Sequence, residues 1–257
     1  MLVVMKIADL DWHTDLESAK RRARETARPI LSLRLLGRLD EPYSCANSRY
    51  FRTLLYPEPR VREAMSAFVL HWESLRPVPK VTIDFGDGRT LVRTITGNSL
   101  HAVLRSDGAP VDAILGLLSA DAFVNALGRA LPMTRTTRAS ELAERHRDAL
   151  ADPPALPPAK VEPDRIVEAS RVAMTKHAVE SPILAQLRAL ERNLEEDTRT
   201  NALDLHARLH RLFADGTTFT DAGAMVDWIY EHLFLMPPGD PFMGLDAPDA
   251  FSALPSA

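Results

Sequence analysis

Two Asp-Gly pairs, Asp87-Gly88 and Asp107-Gly108, each sit between runs in which apolar residues alternate with polar ones. Val81-Thr-Ile-Asp-Phe85 leads into the first pair and Thr90-Leu-Val-Arg-Thr-Ile95 leaves it. Ser99-Leu-His-Ala-Val-Leu104 leads into the second, and the segment from Pro110 to Ile114 follows. A tight two-strand connection needs positive φ at its centre, which Asp and Gly accept, so the pattern predicts two antiparallel hairpins. The flanking sequence has a helical period. Leu16, Ala19 and Ala23 share a face between an N-cap at Thr14 or Asp15 and a stop at Pro29. Residues 30–36 read as a buried strand. A helix starts near Cys45 and runs to about Tyr56, where Pro57 and Pro59 close it. Residues 59–65 suit a short helix, 67–73 a further strand, and 119–131 a helix capped by Ser119.

Residues 132–150 read as helical and very polar. Pro153, Pro154, Pro157, Pro158 and Pro163 then mark a semi-extended linker unable to join a core. Helical periodicity returns over 164–178, 182–194, 196–214 and 219–235, and the apolar residues after Pro237 predict an ordered arm. The expected organisation is a domain over 1–131, a polar helix and linker over 132–163, and a helical region with an arm over 164–257. Charge divides similarly: residues 160–257 hold 9 Lys/Arg against 16 Asp/Glu, while residues 1–159 carry a balance of +3. Trp228, Ile229, Tyr230, Leu233 and Phe234 make a dense apolar face that could dock on the first domain, a second subunit or a partner.

The net charge of −4 gives no general attraction to nucleic acid or an anionic membrane. No secretory leader or transmembrane-length apolar run is visible. With one cysteine, the chain forms no internal disulfide, no C-x-x-C dithiol and no cysteine-built zinc site, and a cytoplasmic location is expected.

The order of helix, strand, cysteine-led helix, strand, antiparallel pair and helix resembles the thioredoxin fold, in particular bacterial thioredoxin-like domains. Trp12-His-Thr-Asp-Leu-Glu-Ser-Ala is similar to their opening, Arg28-Pro29-Ile30-Leu31 to the entry into the first central strand, and Ala67-Phe68-Val69-Leu70 to the strand after the cysteine helix. The strand pair over 104–116 and the helix holding Phe123 and Leu127 resemble the close of the fold. The likeness covers about residues 9–131. It implies an α/β mixed sheet with flanking helices, followed here by an all-helical region. It also implies that Cys45 stands at the catalytic position. Two departures matter. Ser48 replaces the second cysteine of C-x-x-C, and Thr96-Gly97-Asn98-Ser99 lacks the family's cis-proline. A hairpin also stands where the fold usually has a helix.

These residues define two expectations. In the first, the protein is a monothiol redox protein acting on a protein or low-molecular-weight thiol. Cys45 is activated by a helix N-terminus, Ser48 donates to the thiolate, Asn47 and Asn98 bind near it, and His101 is a candidate base. In the second, it is a redox-inactive interaction module working through its C-terminal helices, with a second subunit among the surfaces those helices fit. His206 and His210, at i and i+4, share a helix face that can bind metal. A third ligand would have to come from residues such as Glu196, Asp197 or Asp204, and Ala207 replaces the glutamate of the helical zinc-protease motif. Neither a metal nor a cofactor is expected.

Overall fold

The computed structural model describes residues 4–41, 44–94, 98–159 and 192–242. It is an α/β protein built on a mixed sheet of six strands. The strands are β1 (Val4–Ile7), β2 (Leu10–His13), β3 (Ile30–Leu36), β4 (Val69–Arg76), β7 (Ser99–Leu104) and β8 (Pro110–Leu115), in the order β1-β2-β4-β3-β7-β8. β2, β4 and β3 are parallel neighbours; β7 runs antiparallel to β3, and β8 antiparallel to β7. β5 (Lys80–Asp84) and β6 (Thr90–Thr94) form a separate hairpin, with every residue of β5 exposed. Asp84, Asp87 and Asp107 accept backbone N–H groups within their own turns, as turn geometry alone requires.

The helices follow from their caps and faces. α1 (Leu16–Thr26) buries Ala19 and Ala23 and is capped by Asp15, whose carboxylate accepts from Ser18 N at 2.8 Å. α2 (Ala46–Tyr50) widens into a π-helical turn over Phe51–Leu55, and α3 (Pro59–Met65) follows. α4 (Ala120–Ala130) starts at Ser119, and α5 (Ala139–Ala151) comes after a 3₁₀ turn. Residues 192–199 are helical and continue through a π-helical stretch, Thr200–Leu205, into α6 (His206–Ala214). α7 (Ala222–His232) closes the described chain's helices.

β1 and β2 were absent from the sequence reading. They pair through a turn whose two residues, Ala8 and Asp9, have φ of 52° and 60°, and no glycine marks the position. Trp12 lies in β2 and is fully buried. The proline-rich segment also differs from expectation. Over the described part of it Ala159 is buried and Leu156 packs on the core, because apolar side chains between the prolines can dock without regular structure. The expected helix over 164–178 lies outside the described residues, as does most of 182–194. A single hydrophobic cluster runs from Trp12 to Phe234 and takes in Leu209, Phe213, Val226, Ile229 and Tyr230. The apolar face of α7 is thus consumed inside the molecule. No helix among the described residues is long and apolar enough to cross a membrane.

Register fixes which side chains share a face. Leu33, His101 and Ile114 are opposite one another across β3, β7 and β8, and two residues along so are Val103 and Asp112. Since strand side chains alternate, Ser32 and Arg34 point to the other face, where Arg34 is ion-paired with Glu73.

Candidate functional site

Cys45 lies just beyond the end of β3 and is the N-cap of α2. Its sulfur accepts a hydrogen bond from the Ser48 backbone N–H at 3.4 Å. The sequence reading gave the Ser48 side chain the role of thiolate donor. Instead the amide reaches the sulfur, and the Ser48 hydroxyl makes no hydrogen bond among the described residues. The thiol has 0% exposure. Burial pushes its pKa up, against the smaller opposing effects of the Ser48 amide and Arg49. A thiol that keeps its proton in an apolar enclosure is a poor nucleophile.

The surrounding polar residues are engaged with one another. Asn47 Nδ2 donates to Ser99 Oγ at 3.0 Å. The Asn98 carbonyl accepts from the Tyr230 hydroxyl at 2.6 Å. Arg49 donates to the Ser44 carbonyl at 3.0 Å and to Thr94 Oγ1 at 3.1 Å. Tyr230 and Tyr56 both lie close enough to Cys45 for a thiolate there to raise their own pKa values further, beyond the rise that burial causes. Cys45, Asn47 and Asn98 are therefore brought to one end of the sheet, which α7 reaches through Tyr230. Arg76, at the end of β4, pins the segment after α7 by donating to the carbonyls of Pro238, Asp240 and Pro241.

His101 is not a partly exposed strand residue; it is fully buried. Its Nε2 bonds Tyr56 Oη at 2.7 Å, and its ring lies edge-on to Phe51 and Phe123 with centroids 4.9 Å away. Burial lowers its pKa to about 3. The one hydrogen bond of its ring among the described residues goes to Tyr56, not to the sulfur.

His206 and His210 do lie on one face of α6, their rings stacked at 4.1 Å. Their neighbours are not the acidic residues of their own helix. They meet His146 from α5 and Asp112 from β8. Sequence reasoning missed Tyr230, which bonds the Asn98 carbonyl near the thiol, and missed both of these cluster members. A signal for the cluster existed: Asp112 is the lone charge in a strand buried along its whole length, and His146 follows Leu142 by four residues on the buried face of α5.

Comparison with family models, with curated proteins and with solved structures finds no match to this chain.

Proposed function

We propose that the protein is a redox-inactive, thioredoxin-like module, kept as a scaffold on which the C-terminal helices are mounted. Two features support the thioredoxin-like reading. β2, β4, β3, β7 and β8 follow one another in the order and directions expected of that fold, and the cysteine-led helix leaves the central strand β3. The observation that carries the redox-inactive reading is the enclosure of Cys45. The sulfur has no exposed surface and its pKa is raised. α7 of the same chain reaches the Cys45 end of the sheet, with Tyr230 on the Asn98 carbonyl. Thiol–disulfide exchange requires in-line approach of one sulfur to another, and that approach is blocked. The apolar face around Trp228 is taken up by the core of the same molecule and is not the surface offered to a partner.

The test is alkylation of Cys45 by iodoacetamide in the native full chain from pH 4 to 10. The expected result is labelling only at the rate of native-state opening, with full reaction on adding urea. Cys45→Ala should leave circular dichroism unchanged and cost about 1–2 kcal/mol of stability, from the lost cap and the small cavity, with no loss of function. Rapid native labelling that titrates well below about 8.5 would instead establish the monothiol reading.

A further inference from the structure

Outside the thiol enclosure, one group of side chains converges that neither reading uses. Asp112, His146 and His210 are all buried, and one ligand atom from each lies within 4.8 Å of the others. They come from three elements: β8, α5 and α6. His146 Nε2 is 2.9 Å from the Val111 carbonyl, which can only accept, so this nitrogen carries the proton. That leaves His146 Nδ1 with a free lone pair aimed at His210 Nδ1, 2.7 Å away. An imidazole fixed in this tautomer by a backbone carbonyl is the usual arrangement of a metal-ligating histidine. The ring is also held in place by stacking on Phe213, at 4.4 Å and 9°.

The carboxylate is oriented too. Asp112 Oδ1 accepts from Ala113 N and from His206 Nε2, both at 2.8 Å. Both of these bonds fall on Oδ1. A cavity of about 60 Å³ borders the cluster, lined by Asp112, His206 and His210 with Leu118, Ala126 and Arg129. This is room for a small exogenous ligand or water beside the cluster.

We propose that Asp112, His146 and His210 form a binding site for one divalent first-row transition-metal ion, with His206 as the residue that positions the carboxylate. Nitrogen-rich ligands favour zinc, iron, cobalt or nickel over magnesium and calcium, which take oxygen. The ion would take Nδ1 of both histidines and a carboxylate oxygen, and the cavity supplies an open coordination position. Two nitrogens bound to one tetrahedral zinc stand about 3.3 Å apart. The imidazoles must therefore part by roughly 0.6 Å from their hydrogen-bonded separation, with the His210 proton moving to its other nitrogen or to solvent. A divalent charge also answers a buried carboxylate surrounded by imidazoles.

The experiment is titration of the metal-stripped full chain with zinc chloride by calorimetry, with melting temperature measured in parallel. One zinc per chain and a raised melting temperature are expected. Asp112→Asn and His210→Gln should each weaken binding by at least about 100-fold, and His206→Gln by about tenfold. His232→Gln, at an exposed residue outside the cluster, should change nothing. Circular dichroism of each metal-free variant establishes that it is folded; if Asp112→Asn is not, His210→Gln and His206→Gln carry the comparison. Cobalt binding with a visible spectrum lost in His210→Gln would agree. No saturable zinc binding, or binding equal in wild type and folded His210→Gln, would overturn the assignment and leave a proton-balanced polar network.

Discussion

Lowering the pH from 7 to 5 should cost this protein a large part of its stability through its buried histidines, of which His13, His146 and His210 are also lowered and two, His71 and His101, lie remote from the proposed metal site. His71 and His101 are almost wholly buried, and burial lowers the pKa of each from 6.5 to about 3. His71 Nε2 and His101 Nδ1 have no hydrogen-bond partner among the described residues, so the imidazolium form of either ring would bury one N–H without an acceptor. The sign follows from proton binding. The unfolded chain takes up protons below about pH 6.5 and the folded chain does not. Stability is therefore intact above that value and falls until the folded pKa near 3 is reached. Between pH 7 and pH 5 each histidine contributes a loss of about 2 kcal/mol, and the pair about 4 kcal/mol. Against a typical total of about 5–15 kcal/mol, that loss puts the protein near its acid transition. Carboxylates whose folded pKa is depressed act only at lower pH, so this window belongs to histidine. Urea unfolding at half-unit pH intervals measures it. His101→Gln keeps a hydrogen-bonding group for Tyr56 and removes the titration. Whatever its baseline stability, its loss between pH 7 and 5 should be smaller by about 2 kcal/mol. A wild-type loss below about 1 kcal/mol, or a variant with the wild-type pH slope, would refute the reasoning.

Tyr230→Phe leaves the Asn98 carbonyl without its 2.6 Å donor and should cost about 1–2 kcal/mol in urea unfolding. Tyr230→Ala should cost about 3–5 kcal/mol and speed native alkylation of Cys45; unchanged labelling would mean that another group closes the thiol. Gly116→Ala places a methyl group 2.6 Å from Asn201 Cγ at a φ of +60°, whereas Gly86→Ala, at +75°, meets nothing within 4 Å. Both incur about 1 kcal/mol of backbone cost, so the excess loss of melting temperature in Gly116→Ala isolates the clash. Saturation with zinc at about 100 times its Kd should slow native labelling of Cys45 by up to about 100-fold if the thiol is reached only by openings that break the metal site. Unchanged labelling would show that α7 opens alone.

The central strands were legible because their signals are local. Asp-Gly turns with alternating flanks gave β5 to β8, and the apolar run 30–36 gave β3. The first hairpin was not legible: its strands have four residues each and its turn is Ala8-Asp9, a pair without the glycine that normally announces positive φ. Cys45 could be placed at a helix start from sequence. Its burial could not, because enclosure depends on long-range packing: Tyr230, which bonds Asn98 at the same end of the sheet, comes 185 positions later in the chain, beyond any periodicity. His206 and His210 were visible as a pair. The third and fourth members were not, since contact between β8, α5 and α6 is set by long-range packing and not by spacing. Asp112 illustrates the difference. In sequence it is a polar interruption of a strand, and only the register, which puts it opposite Val103 on the face below α6, shows that its charge is enclosed.

One cause underlies both the closed thiol and the imidazole cluster. The sheet offers its Asp112 face and its Cys45 end to whatever covers them, and here the cover is the C-terminal part of the same chain. α7 brings Tyr230 onto the Asn98 carbonyl, while α6 brings His206 and His210 onto β8. Seven residues, 215–221, separate these helices, and both bury residues in the one hydrophobic cluster, so docking either favours docking the other. The consequence for chemistry is directional. The helix beside the thiol and the helix that carries His206 and His210 share one hydrophobic cluster. A chain that evolved to expose Cys45 would have to release α7, and through the shared core would loosen the site that α6 completes. Exposure of Cys45 and integrity of the proposed metal site are thus opposed, and the docked helices favour the site.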